Sequence, residues 1–126
     1  MGFDEESIAH AIDGSSELGL LDDARFAHAF TRTQERSAKK GARAIRAELA
    51  TRGVSKDDAD AALAASEQPG VQRARAREAA AKKARLLRAD DPRKARRKLL
   101  DFLLRKGYGS DIAAEVSREL LGESED

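Results

Sequence analysis

Residues 20–54, LLDDARFAHAFTRTQERSAKKGARAIRAELATRGV, constrain the fold more than any other stretch of the chain. Phe26 and Phe30 are one helical turn apart, so on a helix they stack along a single face. Asp22, with Asp23 beside it, stands where an N-cap is expected, its carboxylate able to accept from the free N–H groups of a first turn. Gly41 and Gly53 are the residues expected to turn left-handed and close two successive helices, because a residue without Cβ adopts that conformation at little cost. Between them Ala42, Ile45 and Leu49 share one face, while Arg43 and Arg46 point away from it. Ser55, followed by Lys56, Asp57 and Asp58, offers a hydroxyl cap and acids at the positive end of a third helix, expected to run to about Ser66. Three short helices in succession, each with one apolar stripe, make a three-helix bundle.

The same pattern returns further along. Pro69-Gly70 is expected to close the third helix. Residues 71–89 form a long Ala/Arg helix whose continuous apolar stripe is Ala76, Ala80, Ala84 and Leu87, so it depends on docking against neighbours. Asp91 and Pro92 are the cap and first residue of the next helix, which carries Leu99, Leu100, Phe102, Leu103 and Leu104 on a broad apolar face. Lys94, Arg97, Lys98 and Arg105 lie on its other side. Gly107 ends that helix, Tyr108 takes the place of Val54, and Ser110-Asp111 opens a last helix bearing Ile112, Val116 and Leu120, stopped by Gly122. Setting Gly53 on Gly107 pairs Leu49 with Leu103, Ile45 with Leu99, Arg52 with Lys106 and Asp57 with Asp111. Upstream, Ile8, Ala11 and Ile12 make a weak stripe, and Gly19 fits the same frame as a terminating glycine. The expected fold is all-α: tandem three-helix repeats, modular and elongated. Residues 1–19 read as the remnant of a first repeat, 20–68 as a middle repeat, 69–122 as a C-terminal repeat and 123–126 as an acidic tail.

Composition agrees: the chain is 37% charged and 40% hydrophobic with 4% aromatic residues, so much of its apolar surface is alanine and the core is thin. The absence of cysteine excludes disulfides and thiolate chemistry. No window is apolar enough to span a bilayer, Met1-Gly2 does not open a myristoylation motif because Glu6 stands where Ser or Thr is needed, and the expected location is cytoplasmic. The net charge of +1 conceals segregation. Residues 1–70 carry 9 Lys/Arg against 13 Asp/Glu, residues 71–106 carry 14 against 4, and residues 107–126 carry 1 against 6. A basic segment between acidic ones suits a partner that presents phosphates, protein or both.

Each motif has a plainer reading beside the sharper one. Asp22-Asp23 serves better as a cap than as a metal site, since no third ligand is spaced to complete a shell. Phe26 and Phe30 at helical spacing are core in preference to base-stacking platforms. His10 and His28 have no adjacent nucleophile, and nothing resembles a phosphate-gripping loop or a catalytic triad, so neither enzyme nor cofactor is expected. Arg73, Arg75, Arg77, Lys82, Lys83, Arg85 and Arg88 spread almost all round their helix, as on a solvated surface. Two tighter groups are the candidate contacts: Lys39, Lys40, Arg43 and Arg46, and Lys94, Arg97, Lys98 and Arg105, with Asp101 among the latter. Base-specific reading is not expected, because the second helices of the helix-turn-helix pairs open with Lys56-Asp57-Asp58 and Ser110-Asp111, whose carboxylates face phosphates.

In order and spacing, Gly19-Leu20-Leu21-Asp22-Asp23 with Phe26-Ala27, Lys40-Gly41, Ile45 to Leu49, Arg52-Gly53-Val54 and Lys98-Leu99 through Gly107-Tyr108 together resemble the RecX family of recombination regulators. The likeness covers roughly residues 4–121, with two departures: the chain is short by most of a first repeat, and Gly14-Ser15-Ser16 interrupts a helical segment. The resemblance implies tandem three-helix repeats and a protein partner, the RecA recombinase, whose filament on single-stranded DNA such proteins restrain. It implies contact with single-stranded DNA directly or through RecA; a monomer is expected. A nonspecific nucleic-acid-binding helical module, or a helical scaffold for some other protein, are the competing readings of the same residues.

Overall fold

The structure, a computed structural model, describes residues 16–122, with side chains from Asp22 onward. Among the described residues there are six helices and no strand: α1 (Ser16–Ser37), α2 (Ala42–Thr51), α3 (Lys56–Leu63), α4 (Pro69–Leu87), α5 (Pro92–Lys106) and α6 (Ser110–Leu121). The stripe of Ile8, Ala11 and Ile12, His10, and the tail after Gly122 lie outside the described residues.

Two apolar clusters hold the helices in threes. The first joins Ala27 of α1, Ala42, Ile45 and Leu49 of α2, and Ala59 and Leu63 of α3, with Phe26, Phe30 and Val54 packed on its edge. The second joins Ala76, Ala80, Ala84 and Leu87 of α4, Ala95, Leu99 and Leu103 of α5, Tyr108, and Ala113 and Val116 of α6. Fully burying a Leu, Ile or Val contributes about 1.5–3 kcal/mol against about 0.8 for a single methyl-sized group. Leu99, Leu103 and Val116 therefore stabilise the second cluster more than the alanine stripe, whose role is to let α4 approach both α5 and α6 closely.

The two units end their second helices identically. Gly53 (φ +87°) and Gly107 (φ +106°) are left-handed. Val54 N–H donates to Leu49 O at 3.0 Å and Gly53 N–H to Ala50 O at 3.0 Å, while Tyr108 N–H donates to Leu103 O at 3.1 Å and Gly107 N–H to Leu104 O at 3.0 Å. This double bond pattern satisfies carbonyls that a helix end leaves orphaned. Ser55 and Asp91 cap the helices that follow them, accepting from Asp58 N–H at 3.1 Å and Lys94 N–H at 3.3 Å.

Several expectations fail, each for a physical reason. Neither Gly19 nor Asp22 marks a boundary: α1 runs through both, because one interior glycine costs only about 1 kcal/mol in a helix long enough to absorb it. Asp23 is half-buried instead of capping, and its carboxyl is raised above the usual range, first by burial and then by the charges of Asp58 and Asp22. Gly41 does not close a helix. Its φ of −82° and ψ of 166° make it the N-cap of α2, and the left-handed residue of that turn is Lys39, at φ 54°. Pro69 and Gly70 open α4 in place of closing α3, since proline lacks only an N–H that a first turn leaves unused. Leu104 is 39% exposed and lies off the apolar face.

Gly41 is needed for a close approach. A Cβ on it would lie 2.5 Å from the carbonyl carbon and oxygen of Gly107. There the α1–α2 turn of the first unit meets the α5–α6 turn of the second through Gly41 N–H to Lys106 O (2.8 Å) and Arg43 N–H to Gly107 O (3.1 Å). Lys106 Nζ donates to Ala38 O at 2.6 Å and the Tyr108 hydroxyl to Lys39 O at 2.8 Å. Beside this clamp buried Gln72 receives Ala42 N–H at 3.1 Å and donates to Ser66 O at 2.7 Å. Buried Glu35 accepts from the Ser66 hydroxyl and faces Arg75 at 3.5 Å.

Candidate functional site

The first group of candidate cations surrounds the clamp. Lys39 pairs with Glu78 at 3.4 Å and Lys40 with Glu48 at 3.0 Å. Arg46 reaches Asp60 at 2.6 Å and Glu67 at 2.8 Å, binding α2 to the far side of its unit. Hydrogen bonds from Lys56 and Arg46 hold the Asp60 carboxyl below its ordinary range, and those to Glu67 and Asp60 raise the Arg46 guanidinium. Exposed pairs of this kind are worth roughly 0–1 kcal/mol, so they orient these side chains without locking them away from a partner. Arg43 is exposed and forms no ion pair with the described residues.

The second group lies along α5. Lys94, Arg97, Lys98 and Arg105 are all exposed. Lys98 pairs with Asp90 at 3.0 Å, and the other three form no ion pair with the described residues. Asp101 is exposed among them. The basic residues of α4 are spent differently: Arg73 and Arg77 pair with Glu115 and Glu119 of α6 at 2.9 and 2.8 Å, and Lys83 lies 5.6 Å from the Phe102 ring. Arg73, Arg75, Arg77 and Lys83 thus tie α4 to α6, α1 and α5, while Lys82, Arg85 and Arg88 are exposed, as on a solvated surface.

Phe26 and Phe30 stack at 5.5 Å between centroids, and the Arg52 guanidinium sits 4.8 Å above Phe30. That cation–π cover leaves the pair at the edge of the first cluster, half-buried. Among the described residues no group of three or more His, Asp or Glu side chains could hold a metal, and no helix is long and apolar enough to cross a membrane.

One feature escaped sequence reading. An open groove of about 440 Å³ runs between α5 and α6, with Arg93, Arg96 and Arg97 on one wall, Arg118 on the other, and Leu100, Ala114 and Ser117 between. Ser117 is 3% exposed and its hydroxyl has no hydrogen-bond partner among the described residues. Leaving such a group unsatisfied costs about 1–3 kcal/mol. The available signal was a serine next to Val116 on the buried side of α6, opposite arginines spaced i, i+4 at Arg93 and Arg97.

Two family models match, described as the second three-helix domain of RecX, over residues 22–63, and the third three-helix domain of RecX, over residues 71–116. Among similar proteins, the regulatory protein RecX of Mycolicibacterium vanbaalenii is 34% identical over 131 residues, covering 98% of this chain and 71% of that one. That of Clostridium botulinum is 38% identical over 122 residues, covering 95% of this chain and 56% of the other. The crystal structure of RecX from Lactobacillus salivarius superposes with a TM-score of 0.75 at 27% identity, over 93% of this chain and 75% of that chain. With both of its three-helix units matched in order and relatives above 30% identity along nearly its whole length, the chain belongs to the RecX family.

Proposed function

We propose that this protein restrains a RecA-type recombinase by lying along the RecA–single-stranded DNA filament and limiting its extension, ATP turnover and strand exchange. The observation that carries the reading is the backbone clamp at Gly41 and Gly107, set in a chain whose relatives are named regulatory proteins. Two units held at one angle form a stiff bridge, and a bridge binding neighbouring protomers favours whichever filament state keeps them at the matching spacing. Residues 20–68 and 69–122 act as the two bridging units. Arg43, Lys94, Arg97 and Arg105 are the contacts ready to meet acidic protein or phosphate, and Lys39, Lys40, Arg46 and Lys98 join by exchanging their surface partners. The protein acts as a cytoplasmic monomer in DNA recombination and repair, including the SOS response, without cofactor or catalysis of its own.

The test adds the purified chain to RecA-dependent ATP hydrolysis on single-stranded DNA and, in parallel, to a DNA-dependent ATPase unrelated to RecA. Selective slowing of the RecA reaction is the expected result. Equal slowing of both points to the second reading, a nonspecific nucleic-acid-binding module, which the exposed cations of α5 favour.

A further inference from the structure

We infer that the joint between the two units is a latch, held shut by the Glu35–Arg75 pair, that opens as one piece about Gln68 without unfolding either unit. Closed, it fixes the single angle described above; open, it lets the units take a second spacing. Use of that second spacing on a filament rests on the reading above, whereas the opening itself stands on the residues of the joint.

The two apolar clusters share no residue, and the helix pairs that pack extensively all lie within one unit or the other. What crosses the joint is mainly polar: the amides of Gly41, Ala42 and Arg43, the side chains of Lys106 and Tyr108, and the Glu35–Arg75 pair. Water can replace each of these bonds at a small net cost, but it cannot replace the burial of Leu49 or Leu103. Separation along the joint is therefore a smaller event than unfolding of a unit, which is the condition for a sub-global opening.

Glu35 is the catch because three pieces of the chain meet at it. From the last turns of α1, its carboxylate accepts the hydroxyl of Ser66 in the α3–α4 linker and faces Arg75 Nη2 of α4 at 3.5 Å. Arg75 neutralises a carboxylate that is almost fully buried while the joint is shut. Two costs push the other way. Arg75 Nε is buried with no partner among the described residues, and Lys39 is held in the left-handed region at φ 54°. The carbonyls on either side of that strained α-carbon, Ala38 O and Lys39 O, are gripped by Lys106 and Tyr108 of the second unit. Strain that persists because neighbours enforce it is relieved when those neighbours leave.

The linker supplies the pivot. Ser66 and Glu67 stay with the first unit through Glu35 and Arg46, and α4 begins at Pro69. Gln68, with ψ 132°, is the residue left between them. A residue before proline is kept out of the helical region, so the swing is confined to a narrow, guided path.

The experiment follows both sides of the joint in the whole chain, without RecA. Native-state hydrogen exchange reads the amides of Gly41, Ala42 and Arg43 from the first unit. The rate of nitration by tetranitromethane reads Tyr108 from the second, since it is the chain's one tyrosine and is 1% exposed. All four sites are expected to share one opening constant, at least about tenfold above that of the core amides of Leu49 and Leu103. Exchange at the three amides with Tyr108 reacting only as fast as the cores open overturns the latch, because α2 alone would then fray. Exchange of all four only with the cores overturns it too, because the joint would then be inseparable from folding. Arg75→Gln is expected to raise the shared constant about tenfold and leave Leu49 and Leu103 unchanged. Arg77→Gln, which breaks a pair to Glu119 inside the second unit, is expected to leave the shared constant where it was. An equal rise at joint and cores in Arg75→Gln, or no rise at all, overturns Glu35–Arg75 as the catch. These readouts involve no filament, so a failed RecA assay leaves the latch standing, and a joint that never opens leaves the filament reading standing.

Discussion

The unit built from α1, α2 and α3 and the unit built from α4, α5 and α6 share a second-helix ending and differ in what that ending touches. In the second unit the turn is enclosed: Tyr108 is 1% exposed, and a Cβ on Gly107 would lie 2.4 Å from Ala44 Cβ. In the first unit the equivalent Val54 is half-exposed, and a Cβ on Gly53 would meet nothing within 4 Å. One local motif therefore serves two ends, stopping a helix in both places and joining two bodies in only one. Local geometry accounts for the glycine in both; only the neighbouring unit accounts for the aromatic side chain.

That contrast can be broken by substitution, and the largest effect belongs to the enclosed turn. Gly107→Ala combines left-handed strain with overpacking against Ala44 and is expected to cost about 3–5 kcal/mol in urea unfolding. Gly41→Ala carries no φ penalty but drives a methyl into the Gly107 carbonyl, costing about 3 kcal/mol and separating the units, visible as a split in the unfolding transition. The Tyr108 hydroxyl gives a pH signature. Burial, with the charges of Glu35 and Glu78 and against that of Arg75, pushes its pKa up to about 12 from 10.0. Its folded form holds a proton that the unfolded form releases, so this stability is complete below pH 10 and is lost as pH rises toward 12. The loss is about 2–3 kcal/mol, and Tyr108→Phe should abolish that alkaline step.

Gly53→Ala, in the open turn, should cost only the strain of about 1–2 kcal/mol. A cost equal to that of Gly107→Ala would erase the distinction between the units. The smallest effect is at Asp23, whose raised carboxyl favours the protonated form in the fold. Its contribution is present below pH 3.8 and lost as pH rises through the folded value, so Asp23→Asn should raise the thermal midpoint at neutral pH and leave it unchanged in acid.

How much of this was legible depended on whether the cause was local. Ile45, Leu49, Leu99 and Leu103 declare themselves through helical period, and all four are fully buried. Gly53 and Gly107 follow from the rule that a helix stops at a left-handed residue. Gly41 obeys a different cause, the approach of Gly107 from far along the chain, which no window around residue 41 contains. Gly19, Asp22 and Pro69 carry true boundary chemistry that the length of α1 absorbs in the first two cases and that admits two directions in the third. The arginines facing the α5–α6 groove were visible as charges, but whether a charge meets a carboxylate or an open groove is decided by the helix opposite, as Arg73 and Arg97 show.

The clamp at the junction is made mostly of peptide groups: the amides of Gly41 and Arg43 and the carbonyls of Ala38, Lys39, Lys106 and Gly107. Every amino acid except proline possesses those atoms. Substitution can therefore change the surrounding surface and leave the joint unmoved, provided two α-carbons stay bare and the side-chain donors at Lys106 and Tyr108 are kept. The angle between the units is thus set chiefly by the part of the polymer that side-chain mutation does not rewrite.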